Sequence, residues 1–141
     1  MPSARCRVEI DAPPARVMEV ITDFPAYPRF LPEIEEAEVV SATPESWEVR
    51  FVLRLIRRME YTLRLSRDED RLLQWSLVAG IFRSNDGSWE LEPMDGGART
   101  RATYAIDLVM DVFIPRAIVN SLVGESLPAT LARFKARAEG G

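Results

Sequence analysis

The sequence predicts an α+β fold with seven antiparallel strands in a meander and a long C-terminal helix. Three observations support this prediction. Strand-like stretches follow one another over Glu33–Met110, and the segment Asp111–Glu139 then has the spacing of a helix. Before them, the proline-rich segment Val17–Pro32 predicts two short helices after the first strand.

The first strand and the short helices are predicted from local patterns. Apolar and charged residues alternate over Ala4–Asp11, which is the period of a half-buried strand. The prolines that follow suit the first turn of a helix. In Val17–Pro32, VMEVITDFPAYPRFLP, the apolar run stops at Pro25 and two further prolines follow. Two short helices set at an angle against a curved sheet would form one wall of an internal pocket.

Six further strands are predicted from alternating apolar and polar residues. Their ranges are Glu33–Ala42, Trp47–Leu55, Met59–Leu65, Arg71–Ala79, Ile81–Pro93 and Arg99–Met110. The hairpin connection between the third and fourth strands is predicted at Ile56–Arg58. Asn85-Asp86-Gly87 fits either a tight turn or, as we favour, a bulge within one long bent strand.

The C-terminal segment Asp111–Glu139 predicts a helix with Pro115 in its first turn and basic residues near its end. Gly124 and Pro128 interrupt its pattern. One long helix that is kinked at this point and two shorter helices with a turn between them are both open.

Composition excludes several classes of function. The chain has 141 residues, a formal net charge of −4 and no histidine. Without imidazole, no Ser-His or Cys-His nucleophile pair and no histidine metal ligand can form, so we expect neither a metal nor another cofactor. The acidic balance also argues against nucleic acid as a partner.

Cellular location is inferred from weaker signs. The single cysteine, Cys6, cannot form an intramolecular disulfide, which agrees with a reducing compartment. No apolar run approaches the roughly 20 residues that span a bilayer, and the first residues lack the pattern of a secretory signal. We therefore expect one cytoplasmic domain over residues 1–141 with no transmembrane segment, and we leave its oligomeric state open.

Two charged clusters are weak candidates for function. Arg50 and the hairpin Arg54–Arg58 form a basic cluster, a candidate contact for a membrane surface, a protein partner or RNA, although a solvated sheet face explains it better. The glutamates within Glu33–Glu36 resemble paired carboxylates for acid-base catalysis. Exposed glutamates at the start of a strand are common, so we assign no residue a catalytic role.

Large aromatic residues share the face of the sheet that turns toward the terminal helix. The residues predicted to bind a ligand there are Trp47, Phe51, Tyr61, Leu63, Trp75, Leu77, Trp89, Tyr104, Ile118 and Leu122. A well-packed core explains any single one of the aromatics. As a set, facing a helix that is interrupted in its middle, they predict an apolar cavity in which Tyr61, Tyr104 and Asn120 supply polar groups.

The order of elements resembles the START-like superfamily, which includes the birch-pollen-allergen fold, polyketide cyclase/dehydrase and lipid-transport proteins, and coenzyme-Q-binding proteins. The segments that carry the resemblance are DAPPARVMEVITDFPAYPRFLPEI, GSWELEP, GGARTRATYAI and FIPRAIVNSLVGESLPATLARFKARAE. The resemblance implies a helix-grip fold, in which a curved antiparallel sheet of seven strands wraps around the long terminal helix, with a hydrophobic cavity between sheet and helix. Tyr27–Pro32 is most similar to the coenzyme-Q-binding and ribosome-association branches, although Glu33 and Ile34 stand where those branches typically have an aromatic residue and a cysteine.

Three functions follow as hypotheses. The favoured one is noncatalytic binding or transport of a hydrophobic small molecule such as a lipid, an isoprenoid quinone or a polyketide-like aromatic. The second is a polyketide cyclase/dehydrase (aromatase), in which the cavity folds the substrate and a Tyr or Arg polarises a carbonyl. The third is an interaction protein that acts on a large assembly such as the ribosome through the hairpin arginines.

Overall fold

A computed structural model describes residues 3–54, 58–110, 116–120 and 127–140. Its strands are β1 (Ser3–Ile10), β2 (Ile34–Thr43), β3 (Ser46–Arg54), β4 (Arg58–Asp68), β5 (Leu72–Gly80), β6 (Phe82–Met94) and β7 (Arg99–Met110). They form one antiparallel sheet of seven strands, as the sequence predicted. The strand order is β1-β7-β6-β5-β4-β3-β2, so the sheet departs from a simple meander in that β1 pairs with β7 and not with β2.

Four α-helices complete the described part of the chain. They are α1 (Pro14–Thr22), α2 (Tyr27–Phe30), α3 (Arg116–Asn120) and α4 (Leu127–Gly140), with short 3-10 helices at Phe24–Ala26 and Asp95–Gly97. Among the described residues, none of these helices is long and apolar enough to cross a bilayer.

The short helices between β1 and β2 confirm the prediction from the prolines. In α1, Pro14 occupies the first turn, where its missing donor is not needed. Phe24–Ala26 and α2 then make two consecutive bends, each with a proline near its start. This arrangement turns the side chains of Phe24 and Tyr27 into the interior, where both are buried.

β6 is one continuous strand, so the tight turn at Asn85–Gly87 does not exist. The irregularity in its pairing with β7 lies between Phe82 and Ser84, earlier than the predicted bulge. β5 pairs with β6 only from Leu72 to Trp75. Beyond Trp75 the remainder of β5 stays paired with β4, while the start of β6 stays paired with β7. The two strands therefore diverge from each other.

The end of α4 is fixed to the start of the chain. Arg16, on α1, donates hydrogen bonds to the carbonyl oxygens of Ala138 (3.4 Å) and Arg137 (3.3 Å), which are otherwise left over at the helix end. The backbone N–H of Asp11 donates to Glu139 Oε2 at 2.7 Å. These contacts hold α4 across the sheet beside β1.

Two further predictions concern the connections. Arg58 pairs with Arg54 at the start of β4, so it belongs to the strand and not to the hairpin connection that was predicted to include it. Pro128 lies in the first turn of α4, where proline is tolerated. Gly124 lies outside the described residues. The point at which the sequence allows either one kinked helix or two separate helices therefore also lies outside them.

Candidate ligand-binding cavity

A cavity of about 160 Å³ lies between the concave face of the sheet, α2 and α4. Strands β2 to β7 all contribute to its walls, and β1 does not. On the helical side the lining residues are Phe24, Tyr27, Leu31, Leu127, Thr130 and Phe134. The walls are therefore mostly apolar and aromatic, which is the usual character of a small-molecule site.

Six of the predicted site residues line this cavity: Phe51, Tyr61, Leu63, Trp75, Trp89 and Tyr104. Trp47 does not, because it lies near the start of β3 and packs edge-on against Phe24, with 5.5 Å between ring centroids. Leu77 packs half-buried against the core without lining the cavity. The side chain of Ile118 and all of Leu122 lie outside the described part of the structure.

Several lining residues were not predicted. Leu73 and Leu65 share strand faces with Trp75 and Leu63, so the period of two was sufficient to find them. The contribution of α2 and α4 depends on how these helices lie across the sheet. Asn120, predicted to supply a polar group, is exposed on α3. The amide that does reach the cavity belongs to Asn85.

Contacts between aromatic rings join the helical wall to the strands. Phe134 of α4 contacts Tyr27 and Trp89 edge-on, with centroids 5.3 and 5.2 Å apart. Trp89 in turn contacts Tyr104 at 5.1 Å, and Tyr104 contacts Trp75 at 5.4 Å. Edge-to-face aromatic pairs at this spacing are favourable, so these rings form a well-supported wall.

Trp75 is held in place by two neighbours on β6. Its indole Nε1 donates a buried hydrogen bond to Asn85 Oδ1 at 3.1 Å. Its ring lies over Gly87, in the space that a side chain at that position would occupy. A Cβ at Gly87 would also lie only 2.6 Å from the carbonyl oxygen of Ala105, so this position requires glycine for a close approach.

All three tyrosines of the chain, Tyr27, Tyr61 and Tyr104, line the cavity. Burial raises the pKa of each phenol, and for Tyr27 and Tyr104 the neighbouring tyrosines raise the pKa further. The Tyr27 hydroxyl donates to the backbone carbonyl of Ile21. At neutral pH the cavity is therefore bordered by uncharged phenols that act as hydrogen-bond donors.

The charged candidates lie mostly outside the cavity. Arg58 pairs with Glu35 and Glu36, at 3.1 Å in each case, and Arg54 pairs with Glu35 at 3.4 Å. Arg50 donates to Glu60 at 2.6 Å, and this hydrogen bond lowers the pKa of the Glu60 carboxyl. Among the described arginines of the basic cluster, every one is thus paired with a glutamate on another strand of the same sheet.

Glu33 is the one glutamate of the predicted acidic cluster that borders the cavity, where it is half-buried. Glu35 and Glu36 are occupied by the ion pairs with arginine. Within the part of the chain that the structure describes, no group of three or more acidic or cysteine side chains is arranged to hold a metal ion.

An antiparallel sheet that wraps around a C-terminal helix and leaves an apolar cavity defines the helix-grip fold. The chain belongs to the family described as polyketide cyclase / dehydrase and lipid transport, whose model matches residues 10–135. No curated protein matches the sequence.

Solved structures share the fold over almost the whole chain. A protein from Thermus thermophilus is 22% identical, with 97% of each chain covered and a TM-score of 0.86. The Zhui aromatase/cyclase from a Streptomyces species is 20% identical, covering 97% of this chain and 93% of its own, with a TM-score of 0.83. A STAR-related lipid transfer protein from Xanthomonas axonopodis is 17% identical, covering 95% and 84%, with a TM-score of 0.79.

Proposed function

We propose that the protein binds a small hydrophobic molecule in the cavity between sheet and helix and carries it without chemical change. The observation that supports this most directly is the cavity itself, which persists inside an otherwise well-packed interior. Filling that space with side chains would be favourable, because protein interiors pack densely and empty apolar space forfeits contacts. A space kept open and lined by aromatic rings is suited to an apolar guest.

The volume limits the size of the guest. An engineered apolar cavity of about 150 Å³ in another protein holds benzene. A cavity of about 160 Å³ therefore suits a compact molecule with one or two rings. A long isoprenoid chain or a complete polyketide would require the walls to move apart. Among the predicted ligands, this favours a compact aromatic over a long-chain lipid or quinone.

The second candidate is a cyclase/dehydrase that acts on a poly-β-keto chain. It is favoured by the two phenols of Tyr61 and Tyr104, since a positioned O–H group can polarise a carbonyl during ring closure. The Streptomyces protein of similar fold is named an aromatase/cyclase. Turnover of a model poly-β-ketone, lost in Tyr104→Phe with binding of the ketone retained, would establish this function in place of simple carriage.

The hairpin arginines give little support to the third hypothesis, an interaction with a large assembly. Arg54 and Arg58 are paired with glutamates, which favours a structural role for that surface over contact with an anionic partner. The charges of Arg50, Arg54 and Arg58 thus give no support to a role on the ribosome or at a membrane surface.

The test uses the purified protein and naphthalene as an apolar probe. We expect naphthalene to raise the midpoint of thermal unfolding, because a ligand that binds only the folded state stabilises it. Ile106→Trp replaces an aliphatic side chain of the lining with a bulky indole ring that fills the cavity, so it should abolish this shift. Val40→Phe, at a position that is 56% exposed on β2, is the control and should keep it.

Native mass spectrometry of protein purified from its source complements this measurement, because a carried molecule should be released as a small apolar species. Absence of any thermal shift in the wild-type chain, together with absence of a copurified molecule, would refute the binding function. An equal shift in wild-type and Ile106→Trp protein would place the bound probe outside the cavity.

A further inference from the structure

Three of the polar side chains that line the cavity are Asn85 on β6, Tyr61 on β4 and Tyr104 on β7. Asn85 is 4% exposed and borders the cavity. Its hydrogen-bond partner Trp75 contacts the ring of Tyr104. Phe82, three residues before Asn85, contacts the ring of Tyr61 with 4.9 Å between centroids. Asn85 is thus joined to Tyr104 through Trp75, and Asn85, Tyr61 and Tyr104 all line the cavity; we call these three residues the polar corner.

The orientation of the Asn85 amide is fixed by its partner. An indole N–H can only donate, so the atom that faces Trp75 Nε1 at 3.1 Å is the amide oxygen. The amide nitrogen then lies on the other side of the group, and it can only donate. Asn85 therefore contributes N–H donors to its remaining surroundings.

The tyrosines of the polar corner add O–H donors. Within the described residues, no group accepts a hydrogen bond from the hydroxyl of Tyr61 or Tyr104, in contrast to Tyr27, which donates to Ile21. No buried side-chain oxygen or nitrogen in that part of the structure lacks a partner. Both residues line the cavity. The interaction of the two phenols, which raises the pKa of Tyr104, agrees with their being close together.

A pure hydrocarbon would be a poor match for this corner. It would leave two hydroxyls and an amide without a hydrogen-bond acceptor from the ligand, which costs free energy for each buried donor. A ligand oxygen with free lone pairs would restore them. Apart from Glu33, Thr130 and Tyr27, the remainder of the lining is apolar, and the cavity has room for one or two rings.

We propose that the ligand is a compact one- or two-ring molecule with a carbonyl oxygen, and that Asn85, Tyr61 and Tyr104 select it by donating hydrogen bonds to that oxygen. This inference rests on the proposed binding function. It assigns selection of the oxygen to the polar corner and apolar contact to the aliphatic and aromatic side chains of the wall.

The test compares two probes that differ by one oxygen, tetralin and 1-tetralone. Their dissociation constants are measured by isothermal titration calorimetry for the wild-type protein and for Tyr61→Phe, Tyr104→Phe and the double variant. Each Tyr→Phe change removes one O–H donor and keeps the ring. We expect each to weaken 1-tetralone binding by about three- to tenfold relative to tetralin, which is the range of one neutral hydrogen bond.

The control variant is Thr100→Val. Thr100 is buried outside the cavity lining and donates to the carbonyl of Ala12 at 2.8 Å, so its loss removes a buried hydrogen bond without touching the polar corner. Its ratio of the two dissociation constants should equal that of the wild type, even though its stability falls. This separates a specific effect on the ketone from general loosening of the fold.

The outcomes distinguish the two proposals. If both probes bind and their ratio is unchanged in the Tyr61→Phe, Tyr104→Phe double variant, the polar corner does not select an oxygen and the inference is wrong. If neither probe binds to the wild-type protein, the binding function fails and the inference fails with it. A ratio that moves equally in Thr100→Val also contradicts the inference.

Discussion

The interior has two ends that differ in how well they are filled. At the packed end, α1 lies against α4, β6 and β7, and Ile10, Met18, Ile21 and Ala102 have no exposed surface. At the hollow end, large rings from β4 to β7 surround the cavity and leave space between them. The same sheet and the same helix α4 contribute to both ends. The packed end holds the helix in place, and this support allows the other end to stay open.

Two polar side chains that are buried in the described part of the chain show the same contrast. Thr100, at the packed end, is completely buried, and its hydroxyl donates a hydrogen bond to the carbonyl oxygen of Ala12. Asn85, at the hollow end, uses its oxygen to fix Trp75 and still borders the cavity. A polar group that stabilises the fold has its hydrogen bonds completed within the protein. A polar group that binds a ligand keeps a hydrogen-bond donor or acceptor that no other part of the protein uses.

The largest effect should come from two matched truncations on α4. Leu131 is 1% exposed and lies outside the cavity lining, whereas Leu127, one turn earlier, lines it. Leu131→Ala should lower the free energy of unfolding by about 3 to 5 kcal/mol, and Leu127→Ala by about 2 kcal/mol, because its site already lacks neighbours on one side. Urea denaturation measures both. Equal losses would mean that the two ends are packed alike.

Sequence reasoning was strongest where a rule depends only on neighbours along the chain. Alternation along the strands placed Trp75, Trp89 and Tyr104 on the inner face, and all three line the cavity. Alternation gives the face of a residue but not its distance from the helix, so it also included Trp47, which packs against Phe24 instead.

Asn85 shows where local rules fail. Asn-Asp-Gly is typical of a tight turn, yet pairing of β6 with β7 extends the chain through it. The stabilisation from a long strand pair outweighs the preference of three residues for a turn. The sequence also does not predict the volume of the cavity, because that volume depends on the positions of α2 and α4 relative to the sheet.

The second prediction uses pH to probe the hollow end alone, because all three tyrosines lie there. Their pKa values are raised in the folded state. The unfolded chain therefore loses its phenolic protons first, near the ordinary pKa of about 10, and stability falls as the pH rises above that value. At pH 11 the loss should be about 1 to 1.5 kcal/mol for each tyrosine, and about 4 kcal/mol together.

Absorbance of phenolate at 295 nm, recorded with circular dichroism, measures this effect. The absorbance should rise together with unfolding and not before it. Tyr61→Phe should reduce the loss of stability at pH 11 by about one third, because one of three such groups is removed. Reversible phenolate formation near pH 10 in protein that stays folded would show that water reaches the phenols freely.

The third prediction disturbs the wall of the cavity without adding a polar group. Gly87→Ala places a methyl group against the Trp75 ring and 2.6 Å from the carbonyl of Ala105. The indole must move and its hydrogen bond to Asn85 is lost, so we expect a loss of about 1 to 3 kcal/mol in stability. Tryptophan fluorescence should shift to longer wavelength. As a control, Gly97→Ala meets no neighbouring atom and should cost only the strain of its positive φ, about 1 kcal/mol.

The smallest effect is expected on the outer face of the sheet, which neither end of the interior depends on. Arg58 is paired with Glu35 and Glu36, and its side chain remains 44% exposed. Such pairs gain little in water because solvent screens them. Arg58→Ala should therefore change the free energy of unfolding by less than about 1 kcal/mol and leave the binding of naphthalene unaltered, as thermal unfolding with and without the probe would show. A loss of binding in this variant would connect the hairpin to the hollow end, and the separation of the outer charges from the cavity would then be wrong.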